Sequence, residues 1–485
     1  MVYIGLALCA AVATSAHAAD APRIGGRIDG YGIVAFDNGS RKQNPLARID
    51  LTAEQRLDRR FTWRLSLTGR WGGPPRDASV GAFVLDRTFQ NYSPSLEFGE
   101  SYLEYRGDRV DARLGLQKFF WGQLDSIQPN DLLSPREYED PFLTDAVDQK
   151  IAVPALSTTY YPRVPDFADG WMEEPSFTLV WQPVAVPWRF PLLAERWYPP
   201  TGRAAPFLDI PWSEDFPTCP CRIAIEQETA GAAAPARRFD NGNVAVRLAA
   251  RLGPVDWSVM FWDGYDTQPA FEVPIQLSLG APGASGPTVG VAATQIRPAY
   301  RRFQAIGTDF ALGIGRFTVR GEANWRFRKP YAMDLSDVAD RVLTDPGKRA
   351  ALIRGDTIVE PAFAARDSLA WGLGADTIIE GALAILEVYQ LVLVNNDQRL
   401  LVENVDTRLA ANVSRGFLRD RLEVELIGVW GIESSYEFVR GTVSYDVMDG
   451  LELRLGLLGI WGRERSLIGQ YRRNSELFGG VRYHF

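Results

Sequence analysis

Covalent or acid–base chemistry needs a nucleophile, a proton carrier or a metal ligand, and this 485-residue chain is poor in all three. It has 2 histidines, His17 and His484, and 3 cysteines. A Ser–His or Asp–His pair needs an imidazole within hydrogen-bond reach of the reacting group. His17 lies in an apolar N-terminal segment, and His484 precedes the last residue. Cys219 and Cys221 flank Pro220. Two thiolates at that spacing cannot complete a tetrahedral metal site. In an oxidising compartment they can close a small disulfide, and otherwise they remain two free thiols. There is no Cys-x-x-Cys-His haem site. Glu423 and Glu425 share one face of a strand, where two acids read as wetted charges. The expectation is no catalytic residue, no metal, no cofactor and no enzyme.

What the chain holds in quantity is mixed charge. Lys and Arg total 52 against 60 Asp and Glu, a net charge of −8. No basic tract stands out to neutralise phosphates, so no nucleic-acid partner is expected. Arginines recur at alternate positions of polar–apolar segments: Arg64, Arg70, Arg113, Arg247, Arg251, Arg316, Arg320 and Arg326, with Arg48, Arg56, Arg408, Arg440 and Arg454 in the same setting. Acids are concentrated between Trp121 and Lys150: Asp125, Asp131, Glu137, Glu139, Asp140, Asp145 and Asp148.

The elements that must position these charges are strands. Phe61, Trp63, Leu65, Leu67 and Trp71 alternate with Thr62, Arg64, Ser66, Thr68 and Arg70. A side-chain period of two puts one set on an oily face and the other on a wet face. The same alternation runs through 110–117, 244–252, 316–327 and 451–457. Strands of about 9–11 residues are twice the soluble average and match what a tilted strand needs to cross a bilayer. The pattern predicts an all-β fold: a single transmembrane antiparallel barrel of about 18 strands, with 16 as the alternative. The predicted strands lie near 24–36, 45–57, 61–72, 97–106, 109–121, 153–161, 176–182, 243–252, 255–263, 299–312, 316–328, 367–377, 383–394, 404–414, 420–431, 436–446, 451–461 and 476–485. Short periplasmic links alternate with long external ones, the longest being 122–152, 183–242, 264–298 and 329–366. The proline- and aromatic-rich 183–242 segment cannot be wall, and reads as a lid, a plug, a binding surface or an ordinary external loop. Ile4 to Ala13 is apolar and Ala16-His17-Ala18 is a small-x-small cleavage site, so residues 1–18 read as a signal peptide and 19–485 as the barrel, although no Lys or Arg precedes the apolar run. Trp63, Trp71, Trp325, Trp430 and Trp461 are candidates for interfacial girdles.

Val481, Tyr483 and Phe485 line one face of the final segment. This ending resembles the C-terminal assembly signal of bacterial outer-membrane proteins, which implies the barrel-assembly machinery as a partner. Gly115-Leu116-Gln117, Trp121-Gly122-Gln123, Asn130 and Pro135 resemble the signature of a porin-like family of outer-membrane proteins. The resemblance covers that stretch and the general layout. It implies a Gram-negative outer membrane, contact with lipid and lipopolysaccharide, a possible homo-oligomer, and a loop after the fifth strand that folds into the lumen. That acidic loop would then face arginines such as Arg64, Arg70, Arg113 and Arg320. The expected function is a channel for small hydrophilic or weakly anionic solutes. The alternatives are an export conduit for an anionic polymer and a structural or partner-binding barrel.

Overall fold

In the computed structural model the alternating segments close into one antiparallel ring of 18 strands. The structure describes residues 21–36, 46–72, 95–138, 141–142, 146–189, 196–197, 207–209, 222–226, 241–279, 289–294, 297–333, 335–396, 400–464, 466 and 468–485. The first half of the ring is β1 (Arg23–Ala35), β2 (Leu46–Arg56), β3 (Phe61–Gly72), β4 (Ser101–Arg106), β5 (Val110–Gln117), β6 (Val153–Tyr160), β7 (Met172–Gln182), β8 (Asn243–Leu252) and β9 (Val255–Tyr265). The second is β10 (Arg302–Ile314), β11 (Phe317–Ala332), β12 (Phe363–Ile379), β13 (Ala382–Leu393), β14 (Val405–Phe417), β15 (Leu422–Gly431), β16 (Tyr436–Met448), β17 (Leu451–Gly462) and β18 (Glu476–His484). A short strand, Ser95–Phe98, extends β4 along the same edge of β3. β18 returns to pair with β1, from Arg27↔His484 to Ala35↔Glu476. The ring therefore has no free edge, which a structure in hydrocarbon requires.

Burial along the strands is inverted relative to a water-soluble protein. On β3, Leu65 is 37% and Trp71 50% exposed, while Arg70 is 6% exposed. Leu114, Leu248, Leu373, Leu386, Leu409, Leu426 and Leu455 likewise face outward. The aromatics lie at the two rims of this apolar band. Trp71, Trp181, Trp430 and Trp461 ring the long-loop end, and Phe61, Tyr160, Trp257, Phe317, Phe417 and Tyr483 ring the turn end. Aliphatic side chains between two aromatic belts match a hydrocarbon slab with its two interfaces.

The turn end is tight. Asp58 accepts the backbone N–H groups of Arg60 and Phe61, both at 2.7 Å, closing the β2–β3 link. Residues 161–171 are the exception, forming a longer link that carries a short 3₁₀ turn, Asp166–Ala168. Strand bounds depart from the expectation in three places. β5 stops at Gln117 because the chain there turns into the barrel. β7 starts at Met172 and tolerates Pro175, with a register shift between Ala249 and Arg251 on β8. β11 and β12 extend beyond the wall, so their link shrinks to 333–362.

The long links are partly folded. Phe207–Asp209, Arg222–Glu226, Ala270–Leu279, Val289–Thr294, Arg297–Ala299 and Ile358–Pro361 form a second sheet. Two helices, Leu335–Thr344 and Pro346–Ile353, accompany it, and Asp345 caps the second through the amides of Gly347 and Lys348. Val273, Ile275, Met333, Val342 and Leu352 give this cap a dry core of its own.

Candidate functional site

After β5 the chain crosses the lumen. Gly122 has φ +122°, and a Cβ there would lie 2.6 Å from Glu322 Oε1, so the inward turn admits no other residue without a shift. Glu322, on β11, is 4% exposed. Its carboxylate accepts the backbone N–H groups of Gln123 (2.5 Å), Leu124 (2.7 Å) and Asn130 (3.0 Å). Glu387, on β13, accepts those of Asp125 (2.6 Å) and Ser126 (2.9 Å). Five orphan donors of a loop inside a barrel are thus satisfied by two wall carboxylates.

Glycines in the wall receive the loop's side chains. Asn130 is 0% exposed, donates to Thr308 O (2.9 Å) and accepts from Asn324 (3.1 Å). A Cβ on Gly307 would sit 2.2 Å from Asn130 Oδ1, and one on Gly372 2.5 Å from Leu124. Gly307→Ala should therefore displace the loop at about 1–3 kcal/mol, the usual cost of overpacking. Faster hydrogen exchange at the Asn130 amide, with the barrel itself intact, is the expected observation; unchanged protection would refute the socket.

The loop's far half is tied to the opposite wall. Asp148 meets Arg27 (2.7 Å) and Arg48 (3.4 Å), Glu137 meets Arg70 (2.5 Å) and Arg440 donates to Phe142 O (2.7 Å), while Arg189, in the link after β7, also meets Glu137 (3.0 Å). Burial works against ionisation of Asp148, but the guanidiniums of Arg48 and Arg27 outweigh it and hold its carboxyl below the usual range. A depressed pKa means the tie persists until the pH falls below that of a free aspartate.

Among the described residues, a cavity of about 570 Å³ lies between the loop and the wall of β14–β18, β1 and β2. Six arginines line it: Arg48, Arg70, Arg136, Arg440, Arg454 and Arg482. Glu452, Arg482, Asp29, Arg48 and Arg70 lie side by side on β17, β18, β1, β2 and β3. Nearer the long-loop end the wall turns apolar, with Ile427, Val429 and Phe438 facing Phe142 of the loop. Trp197, 2% exposed, packs on Phe142, Leu458 and Ile460. A closed ring with an oily outside, two aromatic belts and a loop narrowing a charged lumen satisfies every structural requirement of one class. The chain is a closed antiparallel β-barrel of transmembrane type.

Among solved structures, this barrel superposes on OccAB1 of Acinetobacter baumannii with a TM-score of 0.46 and 9% identity, covering 96% of each chain. OccK8 (OprE) of Pseudomonas aeruginosa gives 0.47 at 6% identity, covering 96% of this chain and 97% of that one. Wzi of Escherichia coli, described as a carbohydrate-binding β-barrel involved in group 1 capsule assembly, gives 0.44 at 8%, covering 95% and 84%. No family model and no curated protein matches the sequence. At these scores the architecture rests on the ring itself.

The barrel distributes the sequence-derived residues unevenly. Arg70 and Arg320 do meet loop acids, Arg320 bridging Asp125 and Asp376 at 2.8 Å each. Arg64 and Arg113 instead pair with wall acids, Glu54 (3.3 Å) and Glu104 (2.7 Å). Arg247 bonds Asp309 (3.2 Å) and Ser258, and Arg326 bonds Pro129 O, both on the side that the loop covers. Arg251 and Arg316 stand at the turn end. Of the eight arginines, Arg70 alone lines the described cavity, because the loop docks against β9–β13 and the cavity lies along the other wall. Asp131 turns back to Lys150 (2.8 Å) and Arg136 (2.7 Å) within the loop. Glu139, Asp140, Asp145, Cys219, Cys221 and residues 1–18 lie outside the described residues. Val481, Tyr483 and Phe485 share the outer face at the seam, where Phe485 exchanges backbone hydrogen bonds with Gly26 (3.0 and 3.1 Å). Sequence reasoning places Glu322 on the inward, polar face of 316–327 but misses its part in anchoring the loop, and misses Glu387 altogether. Their signal, an acid on either side of β12 opposite its Gly372 and Gly374, has no local periodicity.

Proposed function

We propose that this barrel is a passive outer-membrane channel for small hydrophilic solutes, whose passage is limited by the segment 118–152. The observation that carries the reading is the opening that stays beside a loop tied to both walls of the lumen. The ion-paired acids and arginines of the opening give it a wet wall that replaces part of a solute's hydration. No step needs a nucleophile or a proton carrier. Reconstituted into a planar bilayer, the purified barrel should give stable single-channel steps. Liposomes containing it should swell in small sugars or amino acids and stay unchanged in oligosaccharides too wide for the opening. A folded, heat-modifiable barrel that carries no current would reject the channel.

A further inference from the structure

The opening's six arginines invite an anion, but each is already ion-paired to a carboxylate. Arg48 is paired with Asp50 (2.9 Å) and Asp148, Arg70 with Glu137, Arg136 with Asp131, Arg440 with Glu425 (3.2 Å), Arg454 with Glu452 and Arg482 with Asp29 (2.6 Å). Glu423 differs. It lines the same opening, it is exposed, and among the described residues its carboxylate has neither a hydrogen bond nor an ion pair. On its row the neighbours are Ser444 of β16 and Gly416 of β14, so no cation sits directly across from it. Arg454, opposite Ser444 on the next strand, is held by Glu452 two residues along its own strand. Among the described residues Glu423 is therefore an acid of this lining whose charge no ion pair offsets, set apart from the Arg136–Lys150 pair that shares Asp131.

We propose that Glu423 is the selectivity-determining residue of this opening, and that the solute class it favours is the small organic cation bearing an ammonium group. The proposal rests on the channel reading above and gives it a sign. The paired arginines act as scaffold: they fix the loop and one another, and present little net charge to a passing ion. Along the path, Ile427, Val429, Phe438 and Phe142 offer an apolar surface for the hydrocarbon part of such a solute.

The test is the reversal potential of the reconstituted full-length barrel in a KCl gradient. A unit charge about 7 Å from the ion path in water-like surroundings is worth a factor of about three in local ion concentration. The parent should pass K⁺ over Cl⁻; because the charge enriches K⁺ and depletes Cl⁻ alike, Glu423→Gln should lower that ratio about ninefold, and Glu423→Lys by about the square of that. Butylammonium chloride is the second probe. It should reduce the parent's K⁺ current at lower concentrations than in Glu423→Gln. Heat-modifiability on gels confirms that each variant is folded. Conductance with an anion preference in the parent, or a ratio unmoved by both substitutions, would overturn the role of Glu423 while leaving the channel standing. Absence of any conductance in the folded parent would instead defeat the channel reading beneath it.

Discussion

Removing residues 126–146 should raise the single-channel conductance at least about twofold and weaken whatever ion preference the parent shows, because a ring of this strand number encloses an aqueous lumen that the segment crosses from wall to wall. The deletion takes out Asn130 and Glu137, and with them contacts to Thr308, Asn324 and Arg70. It leaves the strands on either side, β5 and β6, which pair directly from Val110↔Tyr160 to Gln117↔Val153. The wall therefore stays closed, and a change in current reports the loop. Single-channel recording in symmetrical salt is the measurement. Conductance and selectivity equal to the parent's would show that the segment does not limit the path.

The second large effect is expected at Glu322. Glu322→Ala removes the acceptor for three backbone N–H groups at once. Each buried donor left unbonded costs about 1–3 kcal/mol, so docking of the loop loses on the order of 3 kcal/mol or more, about a hundredfold in the docked-to-undocked ratio. The amides of Gln123, Leu124 and Asn130 should then exchange much faster than those of β14, and the channel current should become noisy as the loop leaves and re-enters its groove. Glu322→Gln keeps the shape and one acceptor oxygen, and should fall between the two. Equal protection in the parent and Glu322→Ala would mean that the loop is held by its far ties at Asp148 and Glu137 instead.

These two predictions separate what a one-dimensional reading reaches from what it does not. The wall was legible because its physics is local. Alternate residues point to opposite faces, so Leu65 and Arg70 announce their sides in the sequence itself, and an inverted solvent does not disturb the period. The position of the loop was legible in outline, as an acidic segment between two strands. Its docking was not. Glu322 and Glu387 hold backbone amides, which any residue supplies, and the sockets at Gly307 and Gly372 exist because a side chain is missing. Nothing in the loop's own composition says which wall it leans on. That choice decides that Arg247 and Arg326 are covered while Arg440, Arg454 and Arg482 face the opening. The cap was hidden for a related reason. Its strands are drawn from separate links, and Val273 and Leu352 become neighbours only once the ring has brought those links together.

The seam between β1 and β18 sets the order in which this molecule can be made. The hydrogen bond from Arg482 to Asp29 joins residues 453 positions apart, so nearly the whole chain must be synthesised before the ring can be sealed. Until then the edge of β1 carries a row of unsatisfied peptide groups, each costing several kcal/mol in hydrocarbon. A half-built sheet thus has no stable resting place in the bilayer, and synthesis from the N-terminus cannot lay the strands down one by one as it proceeds. The chain has to stay unsealed until its last strand exists, because only that strand can satisfy the edge of β1.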